Sequence, residues 1–88
     1  MTLEFPNKTR SFDAIARRVR FVGHDGVMEI SFAVDAAALG VFSFATSTLE
    51  FQCLAAFDAA RLRVNEVARK NYLASRKSMY VLTVANFR

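Results

Sequence analysis

One histidine, His24, and one cysteine, Cys53, are all that this 88-residue chain offers of those two residue types, and that scarcity bounds its chemistry. Nucleophilic catalysis needs a Ser, Thr or Cys with a base within hydrogen-bond reach. His24 stands in Gly23-His24-Asp25-Gly26, a turn sequence, and is expected as a solvated loop residue. Cys53 falls on the apolar stripe of a helix, where a free thiol packs as a small hydrophobe. A single Cys and a single His cannot build a structural zinc site, and no glycine-rich phosphate-cradling motif is present. Acid–base work by paired carboxylates has Asp25, Glu29 and Asp35 to draw on. Asp25 is expected to serve the turn and Asp35 to cap a helix. No catalytic, cofactor-binding or metal-ligating residue is assigned, and the chain is expected not to be an enzyme.

The side chains with a plausible partner are basic. Arg63, Arg69 and Lys70 are expected to project from a helix face opposite its apolar stripe, with Arg76 and Lys77 following at its end. Such a row can neutralise phosphates or attract an acidic partner. It also suits the negative end of the helix dipole with no partner at all. Tyr72 is the one aromatic among them and lies nearer the core, so the base-stacking half of a single-strand site is missing. The far side of the same helix carries Phe51, Ala55 and Leu62. They read either as a partner contact or, for Phe51, as packing against Phe42 or Phe44.

These residues are positioned by a short series of elements. Val19 and Phe21 alternate with Arg18 and Arg20, and Met28, Ile30, Phe32 and Val34 alternate with Glu29, Ser31 and Ala33. Both are the period of a half-buried strand, and Asp25-Gly26 between them is a hairpin signal. A two-residue turn would pair Phe21 with Ile30, and a four-residue loop would set it beside Met28. Either register keeps the same apolar face. Asp35 opens a short helix that Gly40 ends. Ser47-Thr48-Leu49-Glu50 has the capping-box spacing and starts a long helix running to about Ser75. Cys53, Leu54, Phe57, Ala60, Val64, Val67, Ala68 and Tyr72 share its buried stripe. A third strand follows over 79–85, with Tyr80, Leu82 and Val84 on one side.

The predicted fold is therefore α+β: a two-layer sandwich in which an antiparallel hairpin and a C-terminal third strand pack against one short and one long helix, in the order β-β-α-α-β. The whole chain, 1–88, reads as a single domain. The other sheet face is too polar for a second core and too apolar to be wholly wet, so either Phe5 and Phe12 or a second copy is expected to cover part of it. Arg61 falls within the apolar stripe. Either its stem lies along the core edge with its head in water, or it pairs with Asp35, Asp58 or a backbone carbonyl.

Composition agrees with a packed domain: 53% of residues are hydrophobic, nine are Phe, and only three are Gly and one Pro. The formal charge of +4 is distributed in blocks, +3 over 1–20, −5 over 21–60 and +6 over 61–88. Neither a secretory signal nor an apolar run able to span a bilayer is found, and a lone cysteine suits a reducing compartment. A cytoplasmic location is expected.

Taken in order, Phe5-Pro6-Asn7, Phe12-Asp13, Arg18-Val19-Arg20-Phe21, Asp25-Gly26, Ile30-Ser31-Phe32, a helix with Phe57, Arg61 and Tyr72, and Tyr80-Val81-Leu82-Thr83 resemble the DUF1488 family of small bacterial proteins. The resemblance implies a small α+β fold and a cytoplasmic bacterial protein, and brings no catalytic residue with it. The expected function is a small non-enzymatic interaction module acting through protein contacts or self-association as a homodimer. The alternative is nucleic-acid binding through Arg63, Arg69, Lys70, Arg76 and Lys77. No cofactor, metal or membrane partner is expected.

Overall fold

The computed structural model describes residues 3–6, 8–41 and 46–87, with side chains at 46 and 47 outside that description. Strand β1 (Arg10–Asp13) precedes the hairpin strands β2 (Arg18–Asp25) and β3 (Met28–Asp35). A short 3-10 helix (Ala37–Leu39), α1 (Thr46–Ala59), α2 (Arg61–Ala74), strand β4 (Met79–Leu82) and a second 3-10 helix (Val84–Phe87) complete the chain. The sheet runs β1-β2-β3-β4. Its first three strands are antiparallel and β4 is parallel to β3. This is an α+β fold with the helices on one face of a mixed sheet.

Alternation places Val19, Phe21, Ile30, Phe32 and Val34 in the core as expected, but Met28, at the turn end of β3, is 57% exposed and Ala33 is buried, and the register is a third possibility. Asp25 opposes Met28 and Phe21 opposes Phe32, so Gly26-Val27 form the turn and Asp25 is freed from it. Gly26 carries φ +63 and Val27 is not left-handed; positive φ at the first central residue alone is what a type II′ turn requires. Both expected registers differ from this one by whole two-residue steps, so the inward face is unchanged.

Two rows of side chains cross the inner face. One is Phe21, Phe32 and Tyr80, direct neighbours on β2, β3 and β4, stacked at 5.3 and 5.2 Å between ring centroids. The other is Phe12, Val19, Val34 and Leu82, of which the last three are fully buried. Leu49, Cys53 and Phe57 from α1 and Val64, Val67, Ala68 and Tyr72 from α2 close over them. Phe5 and Phe12 pack on this inner core, so they do not fold over the outer face. Outside, Arg20 pairs with Asp13 and Arg18 with Asp35, both at 2.7 Å, while Val81 and Met79 keep 37% and 52% exposure.

Several boundaries depart from expectation. Strand β1 has one inward apolar residue, Phe12, too little alternation to read as a strand. Its turn into β2 is held by Asp13 Oδ1, which accepts the Ile15 and Ala16 amides at 3.1 and 3.0 Å. The 3-10 helix ends at Gly40, φ +76, as the sequence predicts, but has no side-chain cap, because the Asp35 carboxylate faces Arg18. Helix α1 begins at Thr46, ahead of the expected cap Ser47, and Phe42 and Phe44 lie outside the described residues. The long helix is two: Ala60, at φ −104 and ψ 14, breaks it. The break lets α1 lie against β1 and β2 while α2 turns toward β4. Strand β4 stops at Leu82, and Val84 enters a 3-10 helix at 42% exposure instead of the core.

Arg61 combines both expected arrangements. Its side chain keeps 20% exposure and donates to Asp58 Oδ1 at 3.1 Å and to the Lys8 carbonyl at 3.2 Å. Its guanidinium lies 4.9 Å from the centre of the Phe57 ring.

Two substitutions test this core. A Cβ at Gly23 would stand 2.9 Å from Phe5 Cε1 and 3.0 Å from Leu3 Cδ1. Gly23→Ala should therefore lower stability by about 1–3 kcal/mol through overpacking, and a urea titration showing no loss would refute it. Arg61→Met keeps the stem and removes the stacking cation and its two bonds. It should cost about 1–2 kcal/mol, more than an idle edge residue and less than a deeply buried pair.

Candidate interaction surface

The five basic residues do not form one row. Arg69 is half-buried, donates from Nε to the Leu3 carbonyl at 3.0 Å and covers the Phe5 ring at 5.2 Å. It thus fastens the N-terminal segment to α2 instead of projecting from the opposite face. Arg63 is exposed and divided between Glu66, at 3.3 Å, and the Phe87 carbonyl, at 3.2 Å. Lys70 and Lys77 are exposed. The Lys77 amide donates to the Tyr80 hydroxyl at 2.7 Å, and that hydroxyl donates to the Ser75 carbonyl, so Tyr80 holds the loop that presents Lys77.

Arg76 belongs to a separate cluster that residue spacing does not reveal. Asp25, released from the turn, has a side chain only 9% exposed. It accepts a 2.5 Å hydrogen bond from the Tyr72 hydroxyl. Arg76 lies 4.9 Å over the Tyr72 ring and 3.9 Å from the same carboxylate. The bond to Asp25 and the burial of the ring raise the Tyr72 pKa, since an ionised phenol beside a carboxylate would lose the bond and gain repulsion. Met28, Lys77 and Ser78 complete the rim of an open groove here. The one signal in the sequence is that an Asp preceding Gly need not occupy the turn itself.

His24 is a strand residue, not a loop residue: its amide and carbonyl exchange 2.8 Å bonds with Glu4, and its side chain is half-buried. Cys53 is fully buried, and burial raises its thiol pKa despite the nearby charge of Arg17, which makes it a poor nucleophile. Among the described residues no group of three or more His, Cys, Asp or Glu comes together. No described helix is long and apolar enough to cross a membrane.

Three large apolar side chains stand among the charged residues that the helices turn outward. Phe51 is 75% exposed, Leu62 84% and Leu73 67%, with exposed Ala55 between the first two. Within α1, Phe51 and Ala55 lie opposite Cys53 and Phe57, and within α2, Leu62 and Leu73 lie opposite Val64 and Val67. Helix α1 carries Glu50 and Asp58 and no basic residue, whereas α2 carries Arg61, Arg63, Arg69 and Lys70 against Glu66. Asp58 is held in its charged form, chiefly by two bonds from Arg10 at 3.0 and 2.8 Å and then by Arg61.

The Tyr72–Asp25 bond carries a pH signature. A phenol whose pKa is raised on folding contributes stability that is present below the ordinary tyrosine value, about 10, and is lost as pH climbs through the higher folded value. Wild type should therefore lose stability above about pH 10 more steeply than Tyr72→Phe. Alkaline melts in which the two proteins lose stability at the same rate would refute the coupling.

No curated protein matches this chain, and no solved structure does. A family model described as a protein of unknown function, DUF1488, matches residues 3–83. That span reaches from Leu3, under Arg69, to the end of β4 and so includes the sheet, both helices and the Asp25–Tyr72 bond; the chain belongs to the DUF1488 family.

Proposed function

We propose that this chain is a small non-enzymatic interaction module of the bacterial cytoplasm that acts through protein contacts on the outer face of α1 and α2. The observation that carries the reading is the exposure of three large apolar side chains, Phe51 on α1 and Leu62 and Leu73 on α2, outside the core that these helices close. Single exposed hydrophobes need no explanation, but three of them on two consecutive helices mark a contact surface. The buried thiol of Cys53 suits a reducing compartment, where it needs no partner.

Nucleic-acid binding has less support. Arg69 is committed to Leu3 and Phe5 and Arg76 to Tyr72 and Asp25, which leaves Arg63, Lys70 and Lys77, with Arg63 itself divided between Glu66 and the Phe87 carbonyl, too few cations for a site that tracks a phosphate backbone.

A photo-crosslinking side chain placed at Leu62 tests the proposal in living cells. It should yield a discrete protein adduct that disappears when Phe51→Glu is added. Absence of any adduct at Leu62, with the folded protein present in quantity, would refute an interaction through this face.

A further inference from the structure

We infer that the groove beside the Asp25–Tyr72 bond binds the phosphate group of a small phosphate ester through Arg76, Lys77 and the Ser78 hydroxyl, with the ester's organic body against Met28. The inference goes beyond the helix-face reading above and does not rest on it.

Asp25 lines this groove, but its charge is largely shut off from solvent. Its side chain is 9% exposed and accepts the Tyr72 hydroxyl at 2.5 Å. The cations stand on opposite terms: the Arg76 side chain keeps 47% exposure, and Lys77 and Ser78 are exposed on the rim. A ligand arriving from solvent meets two positive charges before one screened negative charge, which selects an anion over an amine. The end of α2 does not oppose it with bare carbonyls, since Asn71 accepts the Ser75 amide at 3.1 Å and Ser75 accepts the Tyr80 hydroxyl. Two cations and a hydroxyl suit a phosphate, whose free oxygens accept charge-assisted hydrogen bonds.

The donors are held in place before any ligand arrives. Arg76 lies over the Tyr72 ring at 4.9 Å and 3.9 Å from the Asp25 carboxylate. The ring takes a face of the guanidinium, and 3.9 Å is longer than a hydrogen bond. These contacts brace Arg76 and leave most of its in-plane N–H groups for a phosphate. The loop carrying the other two donors is fastened as well: the Lys77 amide donates to the Tyr80 hydroxyl at 2.7 Å, and the Ser78 carbonyl accepts the Ser31 amide at 3.0 Å. Little ordering is left to be done on binding.

The size of the groove and its apolar wall choose the rest of the ligand. A volume of about 420 Å³ is that of a small-molecule site, and two cations are too few to track a polymer's backbone. Met28, 57% exposed, offers a polarizable surface that favours an aromatic body through sulfur–ring contact.

NMR titration of the isotope-labelled full chain with inorganic phosphate and with phenyl phosphate, at constant ionic strength, tests the site. Both should move the Lys77 and Ser78 amide signals saturably, with a Kd on the order of 1 mM for inorganic phosphate and roughly three- to tenfold lower for phenyl phosphate. Arg76→Gln and Lys77→Gln should each raise the Kd by roughly tenfold. Lys70→Gln removes the same charge from elsewhere on α2 and should change it by less than about twofold, because exposed charges at a distance are screened. Thermal melts verify folding, and Lys77→Gln, at an exposed side chain, keeps the test decisive if Arg76→Gln does not fold. Absence of a saturable shift with either anion, or equal losses in Lys70→Gln and Lys77→Gln, would overturn the proposal. Phenyl phosphate binding no tighter than inorganic phosphate would overturn the place given to Met28. A short DNA duplex that binds more tightly than phenyl phosphate, and loses affinity equally in Lys70→Gln and Lys77→Gln, would overturn the small ester in favour of a nucleic acid.

Discussion

Phe32 is stacked between Phe21 and Tyr80 on the inner face of the sheet, and the remaining structure follows from having to cover that row. The three rings are register partners across β2, β3 and β4, so their stacking ties a parallel strand from the C-terminus to an antiparallel hairpin from the first half of the chain. Rings at this spacing add about 0.5–1.5 kcal/mol per pair beyond the area they bury. Phe57 of α1 meets Phe21 at 5.0 Å, and Tyr72 of α2 meets Tyr80 edge-on at 6.3 Å. Each helix is therefore anchored at a different end of one aromatic row. A straight helix serves both ends poorly, which gives the break at Ala60 its physical reason.

The fourth place in that row, on β1, is occupied by Arg10 instead of a ring. Its guanidinium reaches Asp58 on α1, and the space beside it is taken by Phe5, whose ring lies 6.0 Å from Phe21 and 5.9 Å from Phe32. Phe5 fits because Gly23 has no side chain. Arg69 then closes over Phe5 and Arg61 over Phe57. With Arg76 over Tyr72, three of the cations that give the chain its basic character thus act as lids for aromatic rings. A count of charges overstates what remains to attract a partner.

Surfaces that face outward follow different rules. Around the sheet's outer face, Arg18 and Arg20 are matched by Asp35 and Asp13, so the polar residues there largely answer one another. The outward helix face has no such internal answer for Phe51, Leu62 and Leu73. Membership of DUF1488 brings no activity with it, and the functional reading stands on the exposed Phe51, Leu62 and Leu73 of the two helices.

Strand positions with two-residue alternation are legible in the sequence alone: Val19, Phe21, Ile30, Phe32, Val34, Tyr80 and Leu82 turn inward because neighbouring side chains of a strand point to opposite faces whatever the register. The buried helix stripe and the outward Phe51 and Leu62 are legible for the same reason, a local period. Only the tertiary structure decided the Gly26-Val27 turn, since registers two residues apart bury the same face and are separated by cross-strand packing alone. It alone decided the break at Ala60, where no Gly or Pro marks the spot. It alone decided where the charges went: Asp25 to Tyr72, Asp35 to Arg18, Arg69 to the Leu3 carbonyl. These pairs join residues 47, 17 and 66 positions apart, and a charged side chain on a flexible stem takes its partner from whatever the packed core brings within reach.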